Sequence, residues 1–148
     1  MRKTYTCLLP DKPQPPFKHE PAAWAPMLKV RVGWSHQRTP RFDAIVDSGS
    51  PYCMFRFDVG DFLGIDIRSG KESMVGGISE GIQERVYFHN VQIWVEETWL
   101  IEVTAGFVKK LTFNGILGRN GFFDNFHVRF DHAAQPPVLE IDRIPLVQ

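Results

Sequence analysis

Cysteine is scarce in this chain: Cys7 and Cys53 are the two present, with neither the paired spacing of a zinc site nor the number a disulfide framework needs. A reduced compartment fits that usage. Charge of one sign is not in excess either, because 17 basic side chains are matched by 17 acidic ones. No overall field favours nucleic acid, an anionic membrane or an acidic partner, so any site must be local. No apolar run reaches membrane-spanning length, and the opening MRKTYTCLLPDKPQPPFKHEP lacks the apolar core of a signal peptide. The expectation is a soluble, cytoplasmic protein that binds neither nucleic acid nor membrane. Long Ala/Leu/Glu/Lys stretches are missing as well, which disfavours a helical bundle.

What the chain does have is glycine (12), proline (11) and phenylalanine (12) in abundance, a composition that suits many short strands joined by tight turns. The fold class read from it is all-β. A length of 148 residues suits one compact domain, or one domain with an arm, and is enough to bury a core. Five prolines between Pro10 and Pro21 disfavour helix and ladder pairing. Residues 1–23 therefore read as a proline-rich arm with a short strand within 4–9, and residues 24–148 as the folded domain.

Within that domain MLKVRVGW and RFDAIVD have strand patterns and flank the polar turn SHQRTP, which makes a β-hairpin. YCMFRFDVGDFLGIDI is compatible with a strand or a short helix. ESMVGGISEGIQERVYF has two strand-like arms around a glycine-rich tip, and VQIWVEE and WLIEVTAGF read as further strands. FNGILGRNGFFDNF reads as a buried strand, a glycine break and one helical stretch, before HVRFD and PVLEIDRI close the chain as strands.

Three pieces carry the chemistry. The first is DSGS at 47–50, reached through the apolar AIV. Asp, Ser and Gly are ordinary turn residues, and such a trio often only reverses a chain; an aspartate delivered from a buried strand, however, bears a desolvation cost that a plain surface turn does not. The second is the tip VGGISEG at 75–81, by itself a flexible hairpin end. The third is ILGRN at 116–120. The histidines at 19, 36, 89, 127 and 132 form no recognised zinc pair, the tryptophans 24, 34, 94 and 99 read as packing, and no glycine-rich segment continues into the Lys-Ser/Thr of a phosphate loop. No metal and no cofactor are expected.

Taken together and in this order, hairpin, DSG turn, glycine-tipped hairpin and ILGRN, the pieces resemble the retropepsins, the single-domain aspartic proteases of retroviral type, over most of residues 24–148. That resemblance implies a closed acid-protease β-barrel with one short helix near the C-terminus and a flap hairpin. It implies a homodimeric endopeptidase in which Asp47, Ser48 and Gly49 are catalytic. Each subunit supplies one Asp47 beside its partner's, Ser48 hydroxyls hydrogen-bond across the two-fold axis, and Gly49 lets the backbone bend. Two carboxylates held so close share a proton; one serves as general base on a water while the other polarises the scissile carbonyl.

The same resemblance assigns substrate binding to Ser50, Ile45, Met54, Val75, Gly76, Gly77, Ile78 and Ile116, with Ser50 donating to the Asp47 carboxylate, and structural support to Leu117, Gly118 and Arg119. Taken singly, Ile45, Met54, Val75 and Ile116 read as core. Two departures from the retroviral pattern stand out: Ser79 and Glu80 replace glycines in the tip, and Pro51 and Tyr52 occupy the region where the arginine's acidic partner is usual. The expected partner is a peptide or protein substrate. The alternatives are a retropepsin-like peptide-binding module with weak or absent hydrolysis, and a monomeric barrel whose aspartate turn is purely architectural.

Overall fold

A computed structural model describes residues 1–8, 24–76 and 83–147. The proline-rich stretch, and the tip with Gly77, Ile78, Ser79, Glu80 and Gly81, lie outside the described residues, as does His19. In chain order the strands are β1 (Arg2–Thr4), β2 (Thr6–Cys7), β3 (Trp24–Ala25), β4 (Met27–Trp34), β5 (Gln37–Arg38), β6 (Phe42–Val46), β7 (Met54–Arg56), β8 (Lys71–Gly76), β9 (Gln83–Val95), β10 (Trp99–Val108), β11 (Gly115–Leu117), β12 (Phe126–Asp131) and β13 (Val138–Arg143). One α-helix, α1 (Phe57–Leu63), and a 3-10 turn at Ile67–Ser69 complete the described elements. The protein is mostly β, and its residues group into two units, Leu28–Asn125 and Met1–Met27 with Phe126–Gln148.

In the larger unit β4, β6, β11, β7, β10 and β9 are hydrogen-bonded in that order, and β4 pairs again with β9, Val30 opposite Val95 and Val32 opposite Ile93. Six strands thus close into a barrel. The alternation read from the sequence explains the inside: Leu28, Val30 and Val32 of β4, Ile93 and Val95 of β9, and Ile101, Val103, Ala105 and Phe107 of β10 are buried, while Lys29, Glu102 and Thr104 face outward. Phe55 sits between Phe42 and Phe107, with ring centroids 6.0 and 6.1 Å away. Fully burying each such side chain stabilises the fold by about 2 kcal/mol.

The hairpin expected at 27–46 is present, with β5 interposed: β4 turns back at Ser35 and pairs with β5, Gly33 opposite Arg38, before β6 resumes beside it. The two arms of the glycine-tipped hairpin are β8 and β9, antiparallel with Gly76 opposite Gln83. Sequence pattern had split ERVYF from VQIWV; they form one strand of 13 residues, because its pairing with β10 runs without a break from Val86–Val108 to Val95–Trp99.

The ambiguous stretch at 52–67 is both things in turn, strand β7 followed by α1, which ends at Gly64 in the left-handed region, φ 78°. The expected helix in NGFFDNF is replaced by a wound turn. There Asp124 Oδ2 accepts the Gly121 amide at 3.0 Å and Asn125 Nδ2 donates to the Gly121 carbonyl. These side chains take up the main-chain groups a helix would use, and the backbone bonds span three to five residues irregularly. The short helix of this fold is α1, ahead of the flap hairpin, and not a segment near the C-terminus.

The second unit is a sheet in the order β1-β13-β12, Lys3 opposite Leu139 and His127 opposite Asp142, with the short pair β2-β3. Among the described residues Tyr5, Ala25, Met27, Phe126, Val138, Leu139 and Ile141 are its buried hydrophobic side chains. Burial, with the Asp131 carboxylate adding to it, raises the Tyr5 hydroxyl above the usual tyrosine range. Among the described residues no helix is long and apolar enough to cross a membrane.

Candidate active site

The arrangement of three strands places the aspartate turn. β11 lies between β6 and β7, parallel to the first, Ile116 opposite Ile45 and Leu117 opposite Val46, and antiparallel to the second, Ile116 opposite Met54. The chain must therefore leave β6, pass over the end of β11 and return as β7. The segment that does so is Asp47 to Cys53. The ladder continues one step into it, with the Asp47 amide donating to the Leu117 carbonyl at 3.0 Å.

Asp47 is half-buried while Ser48 and Gly49 are exposed. Its Oδ1 accepts the Gly49 amide at 2.8 Å, and its carbonyl accepts the Ser50 amide at 3.2 Å. The carboxylate is thus fixed by the turn that follows it, an Asx-type arrangement in which the side chain replaces a backbone acceptor. Ser50 is buried, and its hydroxyl donates to the Tyr52 carbonyl at 2.8 Å. The expected bond from Ser50 to the Asp47 carboxylate is not made: a buried hydroxyl two residues upstream of an unpaired carbonyl satisfies that carbonyl first. Ser50 secures the return of the chain into β7.

Arg119 holds the turn from outside. Its Nη1 donates to the Ser48 carbonyl at 2.9 Å and, more weakly, to the Gly49 carbonyl at 3.4 Å, while its amide donates to the Ser50 carbonyl at 2.9 Å. The acceptors of the guanidinium are thus main-chain oxygens of the DSG turn and not a carboxylate. Asn120 adds a bond from Nδ2 to the Pro51 carbonyl at 2.7 Å. Gly118 makes this contact possible, since a Cβ there would lie 2.1 Å from the Tyr52 carbonyl oxygen. Below the turn, burial raises the Cys53 thiol above its ordinary range, and its sulfur lies 4.0 Å from the Gly118 carbonyl oxygen.

Asp47 opens into a cleft of about 820 Å³. Its floor includes Gly49 and Ser50, its walls Met54 of β7, Ile116 of β11 and Met74, Val75 and Gly76 of β8. Of the residues expected to bind substrate, Ser50, Met54, Val75, Gly76 and Ile116 line this cleft; Ile45 does not, and Gly77 and Ile78 lie outside the described residues. Leu117 and Gly118 are fully buried beneath the turn. Sequence reasoning missed Pro51, Tyr52, Met74, Glu84 and the segment Val108, Lys110, Leu111 and Thr112, which complete the lining. The last four lie just ahead of ILGRN and Glu84 lies one turn of chain beyond the glycine tip, so adjacency to the motifs was the available signal. Among the described residues no three His, Cys, Asp or Glu side chains gather as a metal site would need; His36, His127 and His132 are exposed.

No protein-family model matches the chain, and no curated protein matches it. Among solved structures it is similar to the EIAV protease complexed with the inhibitor HBY-793, with 17% sequence identity over 64% of this chain and 82% of that one, at a TM-score of 0.45.

Proposed function

We propose that this chain is an aspartic endopeptidase of retropepsin type, active as a homodimer, with residues 24–148 as the protease domain, residues 1–23 as an arm, and the cytoplasm as its location. The observation that carries the reading is the placement of Asp47. It is a carboxylate delivered from a barrel strand into a hydrogen-bonded turn, at the floor of a cleft with apolar walls and below a β-hairpin. A strand-shaped peptide laid along such a cleft gains main-chain hydrogen bonds from the hairpin and apolar contact from Met54, Val75 and Ile116.

One chain contributes one such aspartate, and hydrolysis by paired carboxylates needs two. A two-fold axis beside the exposed Ser48 and Gly49 supplies the second. One Asp47 then takes a proton from the attacking water, while the partner's Asp47, protonated, polarises the scissile carbonyl and later protonates the leaving amine. The role of the Asp47–Gly49 bond is to fix the carboxylate before substrate arrives, and that of Arg119 is to fix the turn. No metal or cofactor enters these steps. A peptide-binding module without turnover is the second reading, favoured by the Ser50 hydroxyl being turned to Tyr52 rather than to the carboxylate.

The test is incubation of wild type and Asp47→Asn with a mixed peptide library from mildly acidic to neutral pH, beside a measurement of mass in solution. A dimer that cleaves, and a variant that does not, support the proposal. Equal cleavage by both proteins, or a monomer at every accessible concentration, overturns it; tight peptide binding without cleavage supports the module.

A further inference from the structure

Two charged side chains besides Asp47 line the described part of the cleft, Glu84 on β9 and Lys110 just after β10. Glu84 stands directly opposite Val75 across the hairpin. These two are half-buried, whereas Gln83 and Arg85, the neighbours of Glu84 on β9, are exposed; Val75 and Glu84 both line the cleft, and residues directly opposite on antiparallel strands share one face of the sheet. Arg85, the nearest cation in sequence, is engaged on the other face by Glu72 at 3.4 Å. Among the described residues neither the Glu84 nor the Lys110 side chain has a hydrogen-bond or ion-pair partner. A half-buried carboxylate left without a cation has lost part of its hydration and gained nothing in return.

We propose that Glu84 and Lys110 are specificity-determining residues, and that the substrate is an extended peptide with apolar side chains at the scissile bond, a lysine or arginine read by Glu84 and an acidic side chain read by Lys110. This rests on the cleft being a peptide-cleaving site. A substrate cation against Glu84 makes a charge-assisted bond in a partly desolvated position, stronger than the same pair on an open surface. Lys110, exposed at the rim, acts more by selecting the sign of charge. Because two identical subunits build the full cleft, the preference appears on both sides of the cleaved bond.

The experiment is cleavage-site profiling of a peptide library with wild type, Glu84→Lys and Lys110→Glu, together with fluorescence-anisotropy binding of one basic-flanked and one acidic-flanked peptide to the same three proteins and to Asp47→Asn. Glu84→Lys is expected to reverse the basic preference at one position by roughly tenfold, and Lys110→Glu to reverse the acidic preference at another, with Asp47→Asn keeping the wild-type binding order. Folded variants that retain the wild-type preference in both cleavage and binding overturn the assignment. If wild type cleaves nothing, the proteolytic reading fails alone: a charge order in binding that reverses with Glu84→Lys still upholds these two residues, and one that does not reverse refutes them.

Discussion

The guanidinium of Arg119 donates to the main-chain carbonyl of Ser48 at 2.9 Å, tying the residue next to Asp47 to a segment 71 positions away in sequence. The arginine of ILGRN thus acts on the geometry of the carboxylate without touching it. A cationic donor to a carbonyl is replaced by water when the side chain is removed from an exposed site, so the stability cost of Arg119→Ala is set near 1 kcal/mol. The cost to turnover should be larger than that to folding. We expect kcat to fall at least tenfold with KM little changed, and Arg119→Lys, which cannot reach both the Ser48 and Gly49 carbonyls, not to restore it. Steady-state kinetics beside urea unfolding separates this outcome from simple destabilisation; a parallel fall in both would remove the positioning role.

Gly118 makes a sharper test of the crossing of β11 beneath the turn. A methyl group there meets the Tyr52 carbonyl at 2.1 Å and the Ser50 carbonyl at 2.8 Å, backbone atoms that cannot swing away. Gly118→Ala should destabilise the barrel by ~3 kcal/mol, read from the denaturant midpoint. A change below the error of that measurement would mean the turn and β11 are not packed in this way.

The hairpin joining β9 to β10 turns through Glu96 and Glu97, both at positive φ, 51° and 57°. Arg31 donates to Glu97 from β4 and lowers the glutamate's pKa, with further help from Arg41 and Arg38. A depressed carboxylate pKa means that the unfolded chain takes up the proton first on acidification. The contribution of Glu97 is therefore present above the ordinary glutamate range and disappears as pH falls through the lowered value. Unfolding of wild type and Glu97→Gln across pH 2 to 7 should show the two curves converging at the acid end. Curves that stay parallel would deny the interaction a role.

Cys53 is fully buried with its pKa raised by that burial, whereas Cys7 is exposed. Alkylation requires the thiolate, so an iodoacetamide adduct at pH 8 should form on Cys7 alone in the native protein and on both residues in denaturant. Mass spectrometry of tryptic peptides reports this. Native labelling of Cys53 at the rate of Cys7 would show that the floor under the turn opens readily.

Much of the barrel was legible where its strands alternate, as β4 does. Leu28, Val30 and Val32 fall on one face and Lys29 and Arg31 on the other, and no tertiary knowledge is needed to see it. The helix was legible only as one of two readings of 52–67. α1 carries Gly60 in its interior, against helix propensity, and holds it because Ile67 and Phe107 press too closely for any side chain. Conversely, FFDNF looks helical until Asp124 and Asn125 are seen to bond Gly121 instead. Around the cleft, the resemblance led to Asp47, Met54, Val75 and Ile116, which do lie along it, and to Ile45, which does not. The acceptors of Ser50 and Arg119 were not legible, since both are main-chain carbonyls set by how β6, β11 and β7 cross, and sequence carries no local mark of that crossing.

The central claim is that catalysis needs one Asp47 from each of two chains, and subunit mixing tests it most directly. Wild type and Asp47→Asn are combined at constant total protein, left to exchange, and assayed for peptide cleavage. If mixed dimers are inactive, activity follows the square of the wild-type fraction and an equal mixture retains about one quarter of the wild-type value. A linear decline, with half the activity at equal mixing, would mean that each chain works with its own aspartate alone and would contradict the account.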